Sequence, residues 1–476
     1  MKTLDPLDAA MMTGELLFSP LHVGAVLILS PPQDAGRDYV EALYREALTA
    51  KYPVDPRLRR YPHRDMGTGG MWVWRDADTI DISQHCQRRR VDAGGRGLWR
   101  LIGELHAQRL EPSRPMWMSY LIDGLDAGRF AFYVKVHHTV MDGVAGFQMI
   151  ADGLSTDPKR RSMPAFYAAR RTESTALATP MGGRASRLIA PLRSLVGTAA
   201  SSIALAERVV TGELSNVVDS LVRHTTVLPF GAPYTRFNGR LGRDRVVAAG
   251  SWSKERIRAV QQAAGVTGND VVTAVVAGVL RRWLLDRGEL PKQSLVGICP
   301  ITVRGLADDP RNGEHGNMFG AWLCPLGTDV DDPAERLELI HRSMSEGKQQ
   351  VANRGSAASL LNNAASIAAT VLLPHLPFAP KVRTGYNVPL SHVPGPRTEM
   401  YWNGAHIDEI YPVSAVYDGQ ALNVTTCSYA DRVGFGYVAG REVVPDIDTL
   451  IPLTERCLVE LEAAVGAVPD ATMRPC

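Results

Sequence analysis

The stretch that most constrains the fold is residues 129–146, "RFAFYVKVHHTVMDGVAG". Phe130, Phe132, Val134 and Val136 recur at every second position and therefore share one face of a strand. The strand runs into the adjacent pair His137 and His138, and a helix is expected to begin near Asp142. Asp142 suits a helix N-terminus, both as a side-chain acceptor and by its charge on the positive end of the dipole. Gly143 and Gly146 leave space for close backbone approach. A buried strand that ends in a polar turn is where open clefts of mixed folds place reactive groups.

Three readings of the two imidazoles compete. A metal site needs third and fourth ligands, and HHxxxD alone supplies no established zinc spacing. Two satisfied core histidines form the second reading, common for a histidine at a strand end. The third is a general base beside a structural carboxylate, since a histidine with one ring nitrogen fixed accepts a proton from an alcohol near neutral pH. Spacing, turn position and flanking glycines agree best with this last reading.

The 476 residues are too many for one ordinary core, so a large two-lobed fold is expected. The first part alternates strands and helices. "GAVLILS" (24–30) reads as a strand, "YVEALYREALTAKY" (39–52) and "GLWRLIGELHAQRL" (97–110) as amphipathic helices, and "WMSYLIDGL" with "RFAFYVKVHH" as a hairpin. Residues 161–235 are expected to be a basic, partly helical linker, rich in Ser, Thr, Pro and Gly at its start. Between 155 and 225 ten lysines and arginines face five acids, a pattern that fits an exposed connector or attraction to a phospholipid surface. The second lobe is expected over 236–476. There "RDRVVAAGSWS" reads as a strand, "KERIRAVQQAAG" as a helix closed by Gly265, and "NDVVTAVVAGVLRRWLLDRG" as an apolar helix with Asn269 or Asp270 placed to cap it. "SLVGICPITVR" and "ALNVTTCSYADRVGFGYVAG" supply further strands, and a helix around 450–466 closes the chain.

A net charge of +2 gives no reason to expect a nucleic-acid partner. The six cysteines have no CxxC pair or Cys/His cluster, which argues against zinc and disulfide frameworks and for a reducing, cytoplasmic setting. Asp5, Asp8 and Glu15 break up the first twenty residues, against a secretory signal. The nearest approach to a membrane span, residues 360–380, is interrupted by Asn362, Asn363 and Pro374, and a buried or interfacial helix is expected there.

"HHTVMDG" (137–143) resembles the HHxxxDG motif of the coenzyme A-dependent acyltransferase superfamily. "LDPLDAAMM" (4–12), "PSRPMWMSYLIDGL" (112–125), "GNDVVTAVVAG" (268–278), "PITVR" (300–304), "SHVPGPRTEMYWNGAHIDEIYPVS" and "SYADRVGFGYVAG" are similar to motifs of its bacterial wax ester synthase/diacylglycerol acyltransferase family, in the same order. The likeness runs from about residue 4 to 465. It implies an α/β (α+β) fold of two chloramphenicol-acetyltransferase-like lobes, each a mixed sheet with helices, joined by a helical crossover linker. It also implies an active site in a tunnel between the lobes.

The same resemblance implies an enzyme that moves a fatty acyl group from acyl-CoA, a co-substrate, to diacylglycerol or a long-chain fatty alcohol. No permanently bound cofactor and no metal are expected. Peripheral contact with the inner membrane or lipid droplets fits such substrates. Carried over residue by residue, His138 takes the place of the general base, His137 shapes the site, and Asp142 is structural, with Arg304 as its expected partner. Gly143 follows in the motif. Asn269 and Asp270 line the active centre, Asn269 as a donor to the thioester oxygen, with a helix-capping role as the alternative. Trp117 contacts acyl or core atoms, and Ser428 is a candidate for the oxyanion. Two departures stand out: Met116 where the family usually has Leu, and His392 where it usually has Asn. Two other outcomes of the same fold are a condensation or polyketide-associated transferase using carrier-bound acyl groups, and a non-catalytic lipid-binding paralogue.

Overall fold

The computed structural model describes residues 2–169, 231–302, 319–354 and 383–467, apart from 5, 18, 50–51, 93–94 and 142. Most of the connector expected at 161–235, and all of 360–380, lie outside these residues.

In chain order the first part contains Lys2–Thr3 (β1), Pro6–Leu17 (α1), His22–Ser30 (β2), Tyr39–Thr49 (α2), Arg60–Asp65 (β3), Met71–Asp76 (β4), Cys86–Arg90 (β5), Gly95–Ala107 (α3), Trp117–Asp123 (β6), Phe130–His137 (β7) and Gly143–Ala151 (α4). The second contains Arg245–Ser253 (β8), Lys254–Ala264 (α5), Gly268–Leu285 (α6), Val296–Thr302 (β9), Phe319–Pro325 (β10) and Pro333–Arg354 (α7). It continues through Val388–Pro394 (β11), Tyr401–Trp402 (β12), Ala405–Val413 (β13), Leu422–Tyr429 (β14), Arg432–Gly440 (β15) and Leu450–Ala464 (α8). The helices and strands anticipated from periodicity form where expected, with ends shifted by a few residues. Gly265 closes α5 in the left-handed conformation, at φ 68°.

Two six-stranded mixed sheets dominate, ordered β12-β13-β2-β7-β6-β5 and β10-β9-β11-β14-β15-β8, with a small antiparallel sheet β1-β4-β3 beside the first. The expected hairpin is present: β6 and β7 pair antiparallel with Trp117 opposite Val136. Strand β7 is buried along its whole length, with β2 and β6 hydrogen-bonded on either side. Phe130 and Tyr133, fully buried there, contribute about 1.5–3 kcal/mol each.

Residues 236–476 do not build the second lobe alone. Strand β13 pairs antiparallel with β2, Leu29 opposite Ile407 and Val26 opposite Tyr411, so the C-terminal half completes the first sheet. Where β13 crosses β15 the backbones nearly touch. A Cβ on Gly436 would stand 1.9 Å from the Pro412 carbonyl oxygen, and one on Gly434 2.3 Å from that of Ile410. Only glycine fits there. Helix α3 of the first lobe also packs on β8 of the second, and α4 reaches β11. In the second lobe α5, α6, α7 and α8 pack together, and α6 is buried from Asp270 to Leu280.

Candidate active site

The site is built on the end of β7. Paired across from His22 of β2, His137 donates its backbone N–H to the Met116 carbonyl at 3.0 Å. Its ring is fully buried. Nδ1 accepts the backbone N–H of Thr139 at 3.2 Å and lies 2.7 Å from that residue's hydroxyl. The ring proton is therefore on Nε2, which donates it to the carboxylate of Glu15 from α1. Glu15 is itself buried; its carboxylate also accepts the Leu21 N–H at 3.3 Å, and its backbone carbonyl accepts Arg109 Nη1 at 2.9 Å. His137 is thus committed on both ring nitrogens.

His138 is placed differently. Its N–H continues the ladder to the Leu21 carbonyl at 2.9 Å, and its side chain is half-buried. The chain then turns sharply: Val140 and Met141 both donate to the His137 carbonyl, at 2.9 and 3.2 Å, before α4 begins at Gly143. A Cβ on Gly143 would meet nothing within 4 Å, so this position faces open space. Arg60 of β3 donates Nη2 to the Val140 carbonyl at 3.5 Å and so braces the turn from the small sheet. Asp142 and Arg304, expected to pair, both lie outside the described residues.

Behind the turn sits a cluster of buried titratable groups. Lys135, 1% exposed, donates Nζ to the carbonyls of Leu105 and Gln108, each at 2.6 Å, at the C-terminal end of α3. Its charge complements that helix end, but burial pushes its pKa down to about 7. His106 accepts or donates to Tyr133 Oη at 2.8 Å and is pushed down to about 3 by burial and by Lys135. His22 is likewise lowered, first by burial. These imidazoles are neutral spacers under the strand end. Among the described residues no group of three or more His, Cys, Asp or Glu side chains is arranged to hold a metal ion.

The other expected site residues separate into distinct roles. Thr267, not Asn269 or Asp270, is the N-cap of α6. Its hydroxyl accepts the Asp270 N–H at 3.3 Å, while Asp270 Oδ2 accepts the Thr267 N–H at 2.9 Å. Fully buried, Asp270 also holds His341 Nδ1 at 2.8 Å. The capping alternative for Asp270 is therefore the one its contacts describe. Asn269, half-buried on the first turn of α6, accepts the Thr273 hydroxyl at its carbonyl, 2.7 Å away. Trp117 is 1% exposed, donates Nε1 to the Leu58 carbonyl at 2.9 Å and stacks on His85 with ring centres 4.4 Å apart. It is packed in the core.

Ser428 departs from the expectation of a free oxyanion donor. Its hydroxyl lies 3.0 Å from His392 Nε2, while His392 Nδ1 lies 2.8 Å from Thr426 Oγ1, which donates to the Ser391 carbonyl at 3.3 Å. Every donor has an acceptor if the chain runs Ser428 O–H to Nε2, then Nδ1–H to Thr426, which commits the serine hydroxyl to the imidazole. Burial, then the charge of Lys254, pushes His392 down to about 4, so the ring is neutral in neutral solution. His392, noted only as a departure, thus fills its place by bridging two parallel strands.

A small apolar recess of about 20 Å³ opens between the first sheet and α4. It is lined by Leu27, Leu29, Phe132, Ile150, Phe166 and Trp402, among others. Its presence was not anticipated, because Trp402 and Ile407 come from strands nearly 400 residues from β2 in sequence. Glu15 and Lys135 were also missed as site-building residues. Each is a single charge inside an apolar run, "MMTGELLF" and "FAFYVKV", and a charge so placed must find a buried partner.

Two lobes, a buried strand ending in paired histidines, and a helix starting beside them define an acyltransferase of the two-lobed type. Residues 4–272 match the wax ester synthase/diacylglycerol acyltransferase catalytic domain, and 315–462 match its C-terminal domain. A protein of Mycobacterium tuberculosis H37Rv, provisionally named a diacylglycerol O-acyltransferase, is 38% identical over 467 residues, which is 97% of this chain and all of that one. A similarly named protein of Mycobacterium bovis AF2122/97 is 36% identical over 96% of this chain and 90% of its own length. The solved wax ester synthase/diacylglycerol acyltransferase of Marinobacter aquaeolei VT8 superposes with a TM-score of 0.74 at 30% identity, covering 98% of this chain and 100% of that one. The first condensation domain of the CDA synthetase, at 16% identity and a TM-score of 0.54 over 98% and 97% of the two chains, shares the fold alone. The chain belongs to the wax ester synthase/diacylglycerol acyltransferase family, and it is an acyltransferase.

Proposed function

We propose that the enzyme transfers a fatty acyl group from acyl-CoA to the free hydroxyl of diacylglycerol, with long-chain alcohols as a second class of acceptor, and that His138 is the general base. The observation that carries this reading is the inequality of the two histidines. His137 is fully buried and occupied on both ring nitrogens, whereas His138 is half-buried in the turn before α4.

In this reaction His138 accepts the hydroxyl proton as the acceptor oxygen attacks the thioester carbonyl carbon. The C–S bond then breaks, and the coenzyme A thiolate leaves and recovers the proton. No acyl-enzyme is required, because the base itself needs no paired nucleophile. Asn269 supplies a donor to the thioester oxygen. The enzyme works in the cytoplasm, peripherally on the inner membrane or on lipid droplets.

His138→Ala tests the role directly. With acyl-CoA offered to diacylglycerol and a long-chain alcohol in competition, product analysis should show both esters reduced by about 10²–10⁴-fold, the usual worth of a general base. Unchanged thioester turnover in the variant rejects His138 as base, and the ratio of the two esters in the wild type identifies the preferred acceptor.

A further inference from the structure

We propose that the tip of the β3–β4 hairpin is the element by which this protein rests on an anionic lipid bilayer. Met66 is 87% exposed and Met71 is 54% exposed, two of the four exposed large hydrophobic side chains among the described residues. They stand together, since Met71 pairs with Asp65 across the hairpin and Met66 follows Asp65 directly. Between them runs Gly67-Thr68-Gly69-Gly70, with φ of 71° at Gly69 and 81° at Gly70 and nothing within 4 Å of where either Cβ would be. The tip therefore projects freely.

Behind the methionines lies a basic and aromatic collar. Arg64 stacks over Trp72 at 5.0 Å and Arg60 over Trp74 at 4.5 Å, while Trp72 Nε1 ties the hairpin to α1 through the Thr13 hydroxyl at 3.1 Å. Residues 57–76 carry five arginines against two aspartates, with Arg57 held by Asp55 just outside that stretch. Apolar side chains at an exposed tip, followed by Trp72 and Arg64, match the depth profile of a membrane interface, with the cation at the level of lipid phosphates. A protein partner is the poorer fit: a specific interface buries about 800 Å² on each side, and two unbranched side chains on a glycine loop offer no such shaped area.

The hairpin also leads to the site. Arg60, at the other end of β3, is the residue that reaches the Val140 carbonyl in the histidine turn. Five strand steps separate it from Asp65 at the tip, about 17 Å at the usual rise. A docked tip would hold His138 close to the surface in which a water-insoluble alcohol resides. That purpose rests on the proposed acceptor; vesicle binding does not.

The test uses the full chain with vesicles of phosphatidylcholine, with and without phosphatidylglycerol. Wild-type protein should co-sediment with the anionic vesicles, less so as salt is raised. The double variant Met66→Ser, Met71→Ser should bind at least about tenfold more weakly, as expected when the inserted apolar groups are lost, with unchanged turnover of detergent-dispersed diacylglycerol. Met66→Trp should show a blue-shifted emission on adding the same vesicles. Wild-type binding retained in the double variant, no emission shift, or no binding of wild type to anionic vesicles would each overturn the proposal. A dead enzyme that still loses vesicle binding on the double substitution would count against the proposed reaction and leave the docking site standing.

Discussion

Glu15 and His137 are fixed on each other inside the first lobe: the carboxylate from α1 receives the Nε2 proton of an imidazole delivered by β7, and neither group is exposed to solvent. Because the Thr139 amide occupies Nδ1, this pairing dictates the tautomer of His137 and, through the 137–141 turn, the placement of His138.

Glu15→Gln keeps the shape but replaces a charged acceptor by an amide. A hydrogen bond to a charged group is worth about 1.5–3 kcal/mol. If that is what orients the turn, kcat should fall about 10–100-fold with little change in KM. Steady-state kinetics on acyl-CoA decides it; a variant with unaltered kcat would make the pair purely architectural.

Lys135 predicts a pH dependence of stability. Its folded pKa, about 7, is below the ordinary 10.5. At pH values below about 7 the folded and unfolded chains both carry the ammonium, and the full cost of burying it is present. Between the two values the unfolded chain holds more protons, so stability rises with pH across that window. Lys135→Met should flatten this rise, read as the shift in urea midpoint between about pH 7 and about pH 9. A shift as large as in the wild type would show that other groups govern it.

Asp270 should be a stability residue before it is a reaction residue. Asp270→Ala removes the reciprocal cap of α6 and the buried contact with His341, a loss of about 1–3 kcal/mol. Thr267→Ala should cost about 1 kcal/mol at the same helix end. Denaturant unfolding measures both. If Asp270→Ala unfolds like the wild type while turnover collapses, the carboxylate acts on the substrate.

Strand β7 and helix α6 were legible because each is a long apolar run with a clear period and a recognisable end. The histidine pair was legible as a site because polar residues interrupt such a run at a turn. Strands β3 and β4 were not: "RYPHRD" holds three charges and a proline and "MWVWRD" ends in a charged pair, so neither shows a clean apolar alternation, and their small sheet is separate from the two large ones. The placement of β13 was hidden for a different reason. Its alternating pattern announces a strand, but nothing local says that its partner is β2, some 380 positions earlier. The partners of Glu15 and Lys135 were unreadable on the same ground, since both are contacts across the fold.

The borrowed strand β13 has a consequence for how the protein is made. Until residue 413 has left the ribosome, β2 presents an open edge, with Leu27 and Leu29 beside it, to whatever else is nearby. The first lobe, although translated early, must wait for nearly the whole polypeptide before its sheet is closed, and a nascent chain stalled or cut in the middle would be an aggregation seed rather than a half-enzyme.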